Sequence, residues 1–250
     1  MHKPTLRVIQ ILELLSAGGQ PLRLAEISRA LDIPKSTLLP ILQTMTQSRY
    51  LSKDDSDRYR LGIAMVGAAA AAGKLHSPAK CIKACLKELV EEFSETCYYG
   101  VLEGNRVLYL EKVDSPQPLR MLTSIGHRLP AYATGLGKAL LMDHTLSQLQ
   151  QLYPGGLTPL TEHTIRDIPS LARQLQQAKE DGFAWEIEES TDHIRCFAVP
   201  VRMENKIVGA VSMAIPLFRY REEEKTAILS ALLDTADRLG ILLQQTENNT

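Results

Sequence analysis

The sequence is poor in three features that would have fixed its chemistry early. It has only four cysteines, Cys81, Cys85, Cys97 and Cys196, with no CxxC pair and no nearby histidines to complete a zinc set. Buried free thiols in a reducing cytoplasm are expected, with no metal site and no cofactor. It has no long apolar run. The longest uncharged ones, Leu61–Gly73 and Ile207–Phe218, fall short of the roughly 18 residues that a membrane span needs. Gln10 and Glu13 interrupt the first apolar run, so no signal peptide is expected. Charge of either sign is not in excess either, with 28 Lys and Arg against 29 Asp and Glu. Beyond five consecutive alanines there is no low-complexity segment, and no internal repeat.

What is present fits a soluble, cytoplasmic chain with a real core. Hydrophobic residues make up 44% and charged residues 23% of 250 positions, enough for two ordinary domains or one large one. The charge is uneven along the chain. Residues 1–62 carry nine Lys and Arg against six Asp and Glu, whereas the remainder carries 19 against 23. A mildly basic head on a mildly acidic body is a weak pointer to phosphate.

Periodicity organises the head. Val8, Ile11, Leu12 and Leu15 mark a first helix closed by Gly18-Gly19, and Leu24, Ile27 and Leu31 mark a second. A turn at Asp32-Ile33-Pro34 leads into PKSTLLPILQTM, where Leu38, Ile41, Leu42 and Met45 line one helical face. Tyr50-Leu51 and Tyr59-Arg60-Leu61 flank the charged turn KDDSDR as two short strands. Three helices and a hairpin in about sixty residues describe a winged helix-turn-helix. Residues Ala68–Ala72 suit either a helix pairing with its copy or one packed on its own domain.

The body reads as α+β. Cys81–Phe93 is helical in pattern, and CYYGVLEGNRVLYLEKV gives two strands around Glu103-Gly104-Asn105. Leu119–Thr123 is a further expected strand, and TGLGKALLM opens a helix. Ile168, Leu171, Leu175 and Ala178 mark another helix ending at Asp181-Gly182. IRCFAVPV and KIVGAVSMAI are buried strands, and Ile228, Leu232, Leu239 and Leu242 place a long C-terminal helix.

Taken together, LAEISRALDIPKST, YRLG, IGHRLPAYATGLGKALL, DGFAWEIEES, IRCFAVPV and GAVSMAIP resemble, in their order and spacing, the IclR family of bacterial transcriptional regulators. The resemblance covers essentially the whole chain. It implies a winged helix-turn-helix DNA-binding domain over 1–62, a linker and dimerisation helix over 63–77, and a GAF-like effector-binding domain with an antiparallel sheet over 78–250. The implied partners are a palindromic double-stranded operator, a small carboxylate such as a sugar acid or a keto or hydroxy acid, and a second copy, as a dimer or dimer of dimers.

Candidate DNA-binding residues follow. The first residues of a recognition helix reach bases and phosphates, and Lys35, Ser36 and Thr37 supply one cation and two hydroxyls there. The two hydroxyls also suit plain helix capping; Ser36 as cap places Pro40 at the fourth position, whereas an earlier start with Pro34 as first residue forces a kink. Arg58 and Arg60 bracket the wing, as minor-groove or phosphate contacts or as part of a solvated hairpin. The resemblance adds Arg7 near the DNA backbone, and it usually has an arginine where this chain has Pro40. Leu39 beside it suits a thymine methyl but no hydrogen bond.

For the effector, the resemblance puts the carboxylate at Gly135 and Leu136. Helix-start N–H groups bind anions, although a glycine turn also simply starts helices. Met121, Leu129 and Ile194 match apolar pocket positions, Cys196 and Ser212 small polar ones, and Glu186 a position often occupied by aspartate. The competing functions are a winged helix used for protein contacts and a thiol enzyme built on Cys196, His193 and Glu188 or Glu189. An apolar strand around Cys196 favours an inert thiol, and His193 three residues away falls on the opposite strand face.

Overall fold

Side chains alternate along the last two strands of the body, and that alternation explains why their sequences are apolar throughout. In the computed structural model, which describes residues 2–18, 20–68, 79–118 and 123–248, Cys196 and Ala198 face one core, while Phe197, Val199 and Val201 face another. A strand covered on both faces has no polar side. The chain divides into two compact units between residues 77 and 78.

The head unit contains α1 (Lys3–Gly18), β1 (Leu22–Arg23), α2 (Leu24–Leu31), α3 (Lys35–Gln47), β2 (Leu51–Lys53) and β3 (Arg58–Leu61), followed by a helical stretch α4 over 64–68. Its core joins Ile11 and Leu15 of α1, Ile27 of α2, and Leu38, Leu42 and Met45 of α3 to Leu51 and Tyr59 of the wing. Asp32 adopts a left-handed φ of 52° to close α2, and Ser28 holds the turn through a 2.7 Å bond to the Ile33 carbonyl. β3 sits between β1 and β2.

The body unit contains α5 (Ala79–Phe93), β4 (Thr96–Glu103), β5 (Arg106–Val113), β6 (Arg128–Pro130), a 3₁₀ turn (Ala131–Ala133), α6 (Gly135–Leu141), α7 (Leu146–Leu152), α8 (Ile168–Asp181), β7 (Ala184–Ile187), β8 (Ile194–Met203), β9 (Lys206–Pro216), a 3₁₀ turn (Glu222–Glu224) and α9 (Lys225–Asn248). Six antiparallel strands run in the order β6-β5-β4-β9-β8-β7. One sheet face packs on α5 and α9, the other on α6, α7 and α8. Gly104, at φ 58°, supplies the β4–β5 turn.

Several expectations need correction. Cys81 is exposed, near the start of α5, whereas Cys85, Cys97 and Cys196 are buried free thiols. His193 is not on a strand, because it occupies a left-handed φ of 63° just before β8. β1 and α7 were not anticipated, and within DGFAWEIEES the strand β7 was not separated out. The linker helix expected over 63–77 falls, beyond 68, largely outside the described residues, as do most of the alanine run, Met121, and Leu119–Met121 with Leu122 of the expected strand. Thr123 is described and belongs to no strand.

Candidate nucleic-acid interface and ligand site

In the head, α3 begins immediately after Pro34. Its carbonyl accepts the N–H groups of Thr37 at 2.9 Å and Leu38 at 3.1 Å, so Lys35 is the first helical residue. Neither Ser36 nor Thr37 caps the helix, because Pro34 has already taken the cap position at a φ of −56°. Pro40 is therefore sixth in the helix, a true interior position, and the carbonyl of Ser36 loses its partner four residues on. Such a proline costs about 3 kcal/mol. Burial of Leu38, Leu42 and Met45 on the opposite side of the helix offsets it. The Thr44 hydroxyl donates to the Pro40 carbonyl at 2.9 Å.

Lys35, Ser36, Leu39 and Pro40 are all exposed, and their i, i+3 and i+4 spacing puts them on one edge of α3. Thr37 is half-buried. Gln43, one turn beyond Leu39 and also exposed, continues that edge and brings an amide suited to adenine. The same i+4 spacing would have identified it in the sequence.

The two wing arginines have different surroundings. Arg58 donates to the Pro21 carbonyl at 3.1 Å and lies 3.6 Å from Glu26, which itself accepts the Arg23 N–H at the start of α2. Its guanidinium thus ties β3 to α2 within the head. Arg60 is exposed, with Nε donating to the Ser52 hydroxyl at 3.1 Å. At the tip, Asp54 accepts the N–H groups of Ser56 and Arg58, and Lys53 pairs with Asp57 at 2.6 Å. With Asp55 also exposed there, the tip is acidic and the wing's outward cation is Arg60. Arg7 is half-buried on α1.

In the body, the start of α6 rests on a floor of small side chains. Ala184, Ala198, Ala210 and Ala214 line the sheet beneath it. A Cβ on Gly135 would meet Cys196 Cβ at 3.1 Å and Sγ at 3.2 Å, and one on Gly137 would meet the Ala131 carbonyl oxygen at 2.2 Å. Glycine is required at 137 by backbone contact, while at 135 any side chain would press on Cys196. Thr134 caps the helix by accepting the Gly137 N–H at 2.9 Å.

Strand register brings the candidate residues to this floor. Glu186 pairs with Cys196, which pairs with Ala214, and Ala198 pairs with Ser212, which pairs with Tyr98. The Cys196 thiol donates to the Phe197 carbonyl at 3.8 Å, and burial pushes it far up against the opposing pull of the Ser212 hydroxyl and the Leu136 N–H. Glu186 is 1% exposed and accepts the Glu189 N–H at 2.8 Å and the Ser190 hydroxyl at 3.0 Å. Burial raises its carboxyl to about 7, against the pull of those bonds and of Lys138. Leu129 and Ile194 join the same apolar cluster. Gly135, Leu136, Glu186, Cys196 and Ser212 thus converge, while Met121 lies outside the described residues.

Other members of this compartment were not anticipated. Tyr98 and Tyr109 stack edge to face at 5.3 Å, and burial raises both phenols. Lys138, 1% exposed, closes onto Glu189. A lysine inside TGLGKALLM was the available signal, since a charge on an all-buried helix requires a partner. Cys196 is no nucleophile here: its thiol is held protonated, His193 points to solvent, and Glu189 is committed to Lys138. Among the described residues no cluster of His, Cys, Asp and Glu would hold a metal, and no helix is long and apolar enough to cross a membrane.

Comparison with known proteins agrees with this division. The IclR helix-turn-helix domain matches residues 5–55, and the C-terminal domain of the bacterial transcriptional regulator IclR matches residues 75–240. The HTH-type transcriptional regulators XynR and KdgR of Escherichia coli K12 are 31% identical over 222 residues and 30% identical over 236 residues. The alignments cover 87% and 92% of this chain, and 88% and 89% of theirs. The HTH-type transcriptional repressor AllR of the same strain is 27% identical over 95% of this chain and 89% of its own. A solved IclR regulator from Alicyclobacillus acidocaldarius superposes with a TM-score of 0.85 at 25% identity, covering 96% and 98% of the two chains. An IclR homologue from Microbacterium hydrocarbonoxydans, solved with 4-hydroxybenzoate, shares the fold with a TM-score of 0.83 at 22% identity, over 97% and 99%.

Proposed function

The chain belongs to the IclR family of bacterial transcriptional regulators, and from that premise we propose that it represses a catabolic operon under control of a small carboxylate. It is a DNA-binding regulator and not an enzyme, as its relatives are. In this proposal residues 1–62 hold a palindromic operator, 63–77 form a helix that pairs two subunits, and 78–250 bind the effector. The assembly is a homodimer or a dimer of dimers, because two symmetric heads match two half-sites. Effector in the body changes the spacing of the heads and so their fit to the operator.

The observation that carries the DNA part is the exposed edge of α3, with Lys35, Ser36 and Leu39 on a fully apolar support. Arg60 adds a phosphate contact from the wing, and Arg7 another from α1. Arg58 contributes by holding the wing. The effector part is supported by the compartment beneath α6, where the Leu136 N–H, Ser212 and Cys196 offer polar contacts and Leu129 and Ile194 apolar ones. The neighbour with bound 4-hydroxybenzoate favours a hydroxylated carboxylate of modest size.

Fluorescence anisotropy with DNA from upstream of the gene, with and without a panel of sugar acids and short keto and hydroxy acids, tests both parts. Specific binding that one acid weakens is expected. Gly135→Val should keep DNA binding and lose the response, since the new side chain is forced against Cys196. A variant that responds like the parent places the effector elsewhere.

A further inference from the structure

The compartment beneath α6 holds more carboxyl groups than cations, with a consequence for any anion that enters it. Glu186 is withdrawn from solvent, and Lys138, the cation that pulls on it, is closed onto Glu189. Lys138 and Glu189 cancel, and among the described residues Glu186 has no ion pair of its own. From β8 it is faced by the Cys196 thiol and from β5 by the Tyr109 phenol, both kept neutral by burial. From the turn after β7 it receives only the Glu189 N–H and the Ser190 hydroxyl. An ionised Glu186 beside an incoming carboxylate would therefore leave two uncompensated negative charges where water does not screen them. Like charges so placed do not both ionise.

We propose that a carboxylate effector enters this compartment together with one proton from solvent, which comes to rest on Glu186. The inference rests on the effector reading above and adds its regulation by pH. The neutral carboxyl then acts as a donor toward the effector, and a carboxylate need not be rejected by the acid in its own pocket. In the free protein this carboxyl titrates at about 7, and a bound anion moves it higher. Affinity is then constant at lower pH. Above pH 7 it falls about tenfold per pH unit until the carboxyl of the complex also titrates.

Calorimetry of the full chain with acetate, pyruvate, D-gluconate and 4-hydroxybenzoate, each in phosphate and in Tris buffer, measures the proton directly. The binding heat should differ between the buffers in proportion to their ionisation enthalpies. About half a proton should be taken up near pH 7, approaching one near pH 8. Whatever its affinity, any binding that remains in Glu186→Gln should lose both the buffer dependence and the pH slope. Binding by the parent with a heat independent of buffer overturns the proposal, as does a Gln variant that still takes up a proton. Failure of every probe to bind overturns the effector reading and this inference with it. If the Gln variant does not fold, the buffer pair on the parent decides alone.

Discussion

The head and the body place their polar side chains in opposite ways. Among the described residues of the head, no polar or charged side chain is buried, and its core is apolar from Ile11 to Tyr59. The body buries Lys138, Glu186, Glu189, Thr134 and Ser212 around one compartment. Groups proposed to read DNA stand on the surface of a scaffold that does not need them. Groups that would meet an effector are part of the scaffold. Recognition and stability are therefore separable in the head and entangled in the body.

The strongest way to break this contrast is Lys138→Met. It leaves Glu189 charged and buried without a partner, which costs about 3–5 kcal/mol. Trp185, the one tryptophan, lies in the body and reports its unfolding by fluorescence in urea. Replacing Glu189 as well, by Leu, should return much of the loss. A small effect of Lys138→Met would mean that water reaches the pair and that the compartment is not closed.

Pro40→Arg probes the head with an intermediate effect. The position is exposed, so nothing is lost from the core, while a backbone donor returns to the interior of α3. Head stability should rise by about 1–3 kcal/mol. Site selection from random DNA should return a changed preference, with higher non-specific affinity. Identical selected sequences would place the edge at residue 40 away from the bases.

Lys35→Ala and Arg60→Ala should move stability least, by no more than about 0.5 kcal/mol each. Operator affinity should fall, and the slope of log affinity against log salt should lessen by about 0.9 for each phosphate no longer neutralised. Arg58→Ala sharpens the contrast in reverse. It should cost from a few tenths to about 1 kcal/mol of stability, since its partly exposed bonds are screened. Its salt slope should stay that of the parent.

Local pattern made much of this visible in the sequence. The buried stripe of α3, the turn at Gly104 and the two doubly covered strands are properties of contiguous residues, and periodicity exposes those. What escaped depends on partners distant in the chain. Lys138 and Glu189 are 51 residues apart, and Arg58 meets Pro21 across 37. β1 has two residues and exists because β3 pairs with it. The start of α3 stayed open between two positions for another reason: Ser36 is a good cap by composition, but Pro34 holds the cap geometry. For the compartment, the family resemblance pointed to Gly135, Leu136, Glu186, Cys196 and Ser212 and to the apolar Leu129 and Ile194, and the floor of alanines beneath them emerged only from strand register.

The acidic tip of the wing bears on non-specific contact with DNA. A regulator spends most of its search on the wrong DNA, held there by phosphate contacts that carry no sequence information. Asp54, Asp55 and Asp57 sit where the wing reaches furthest, and the cation beside them, Lys53, is neutralised by Asp57. In the DNA-binding reading proposed above, these carboxylates repel phosphate at the tip, so non-specific contact through the wing rests on Arg60.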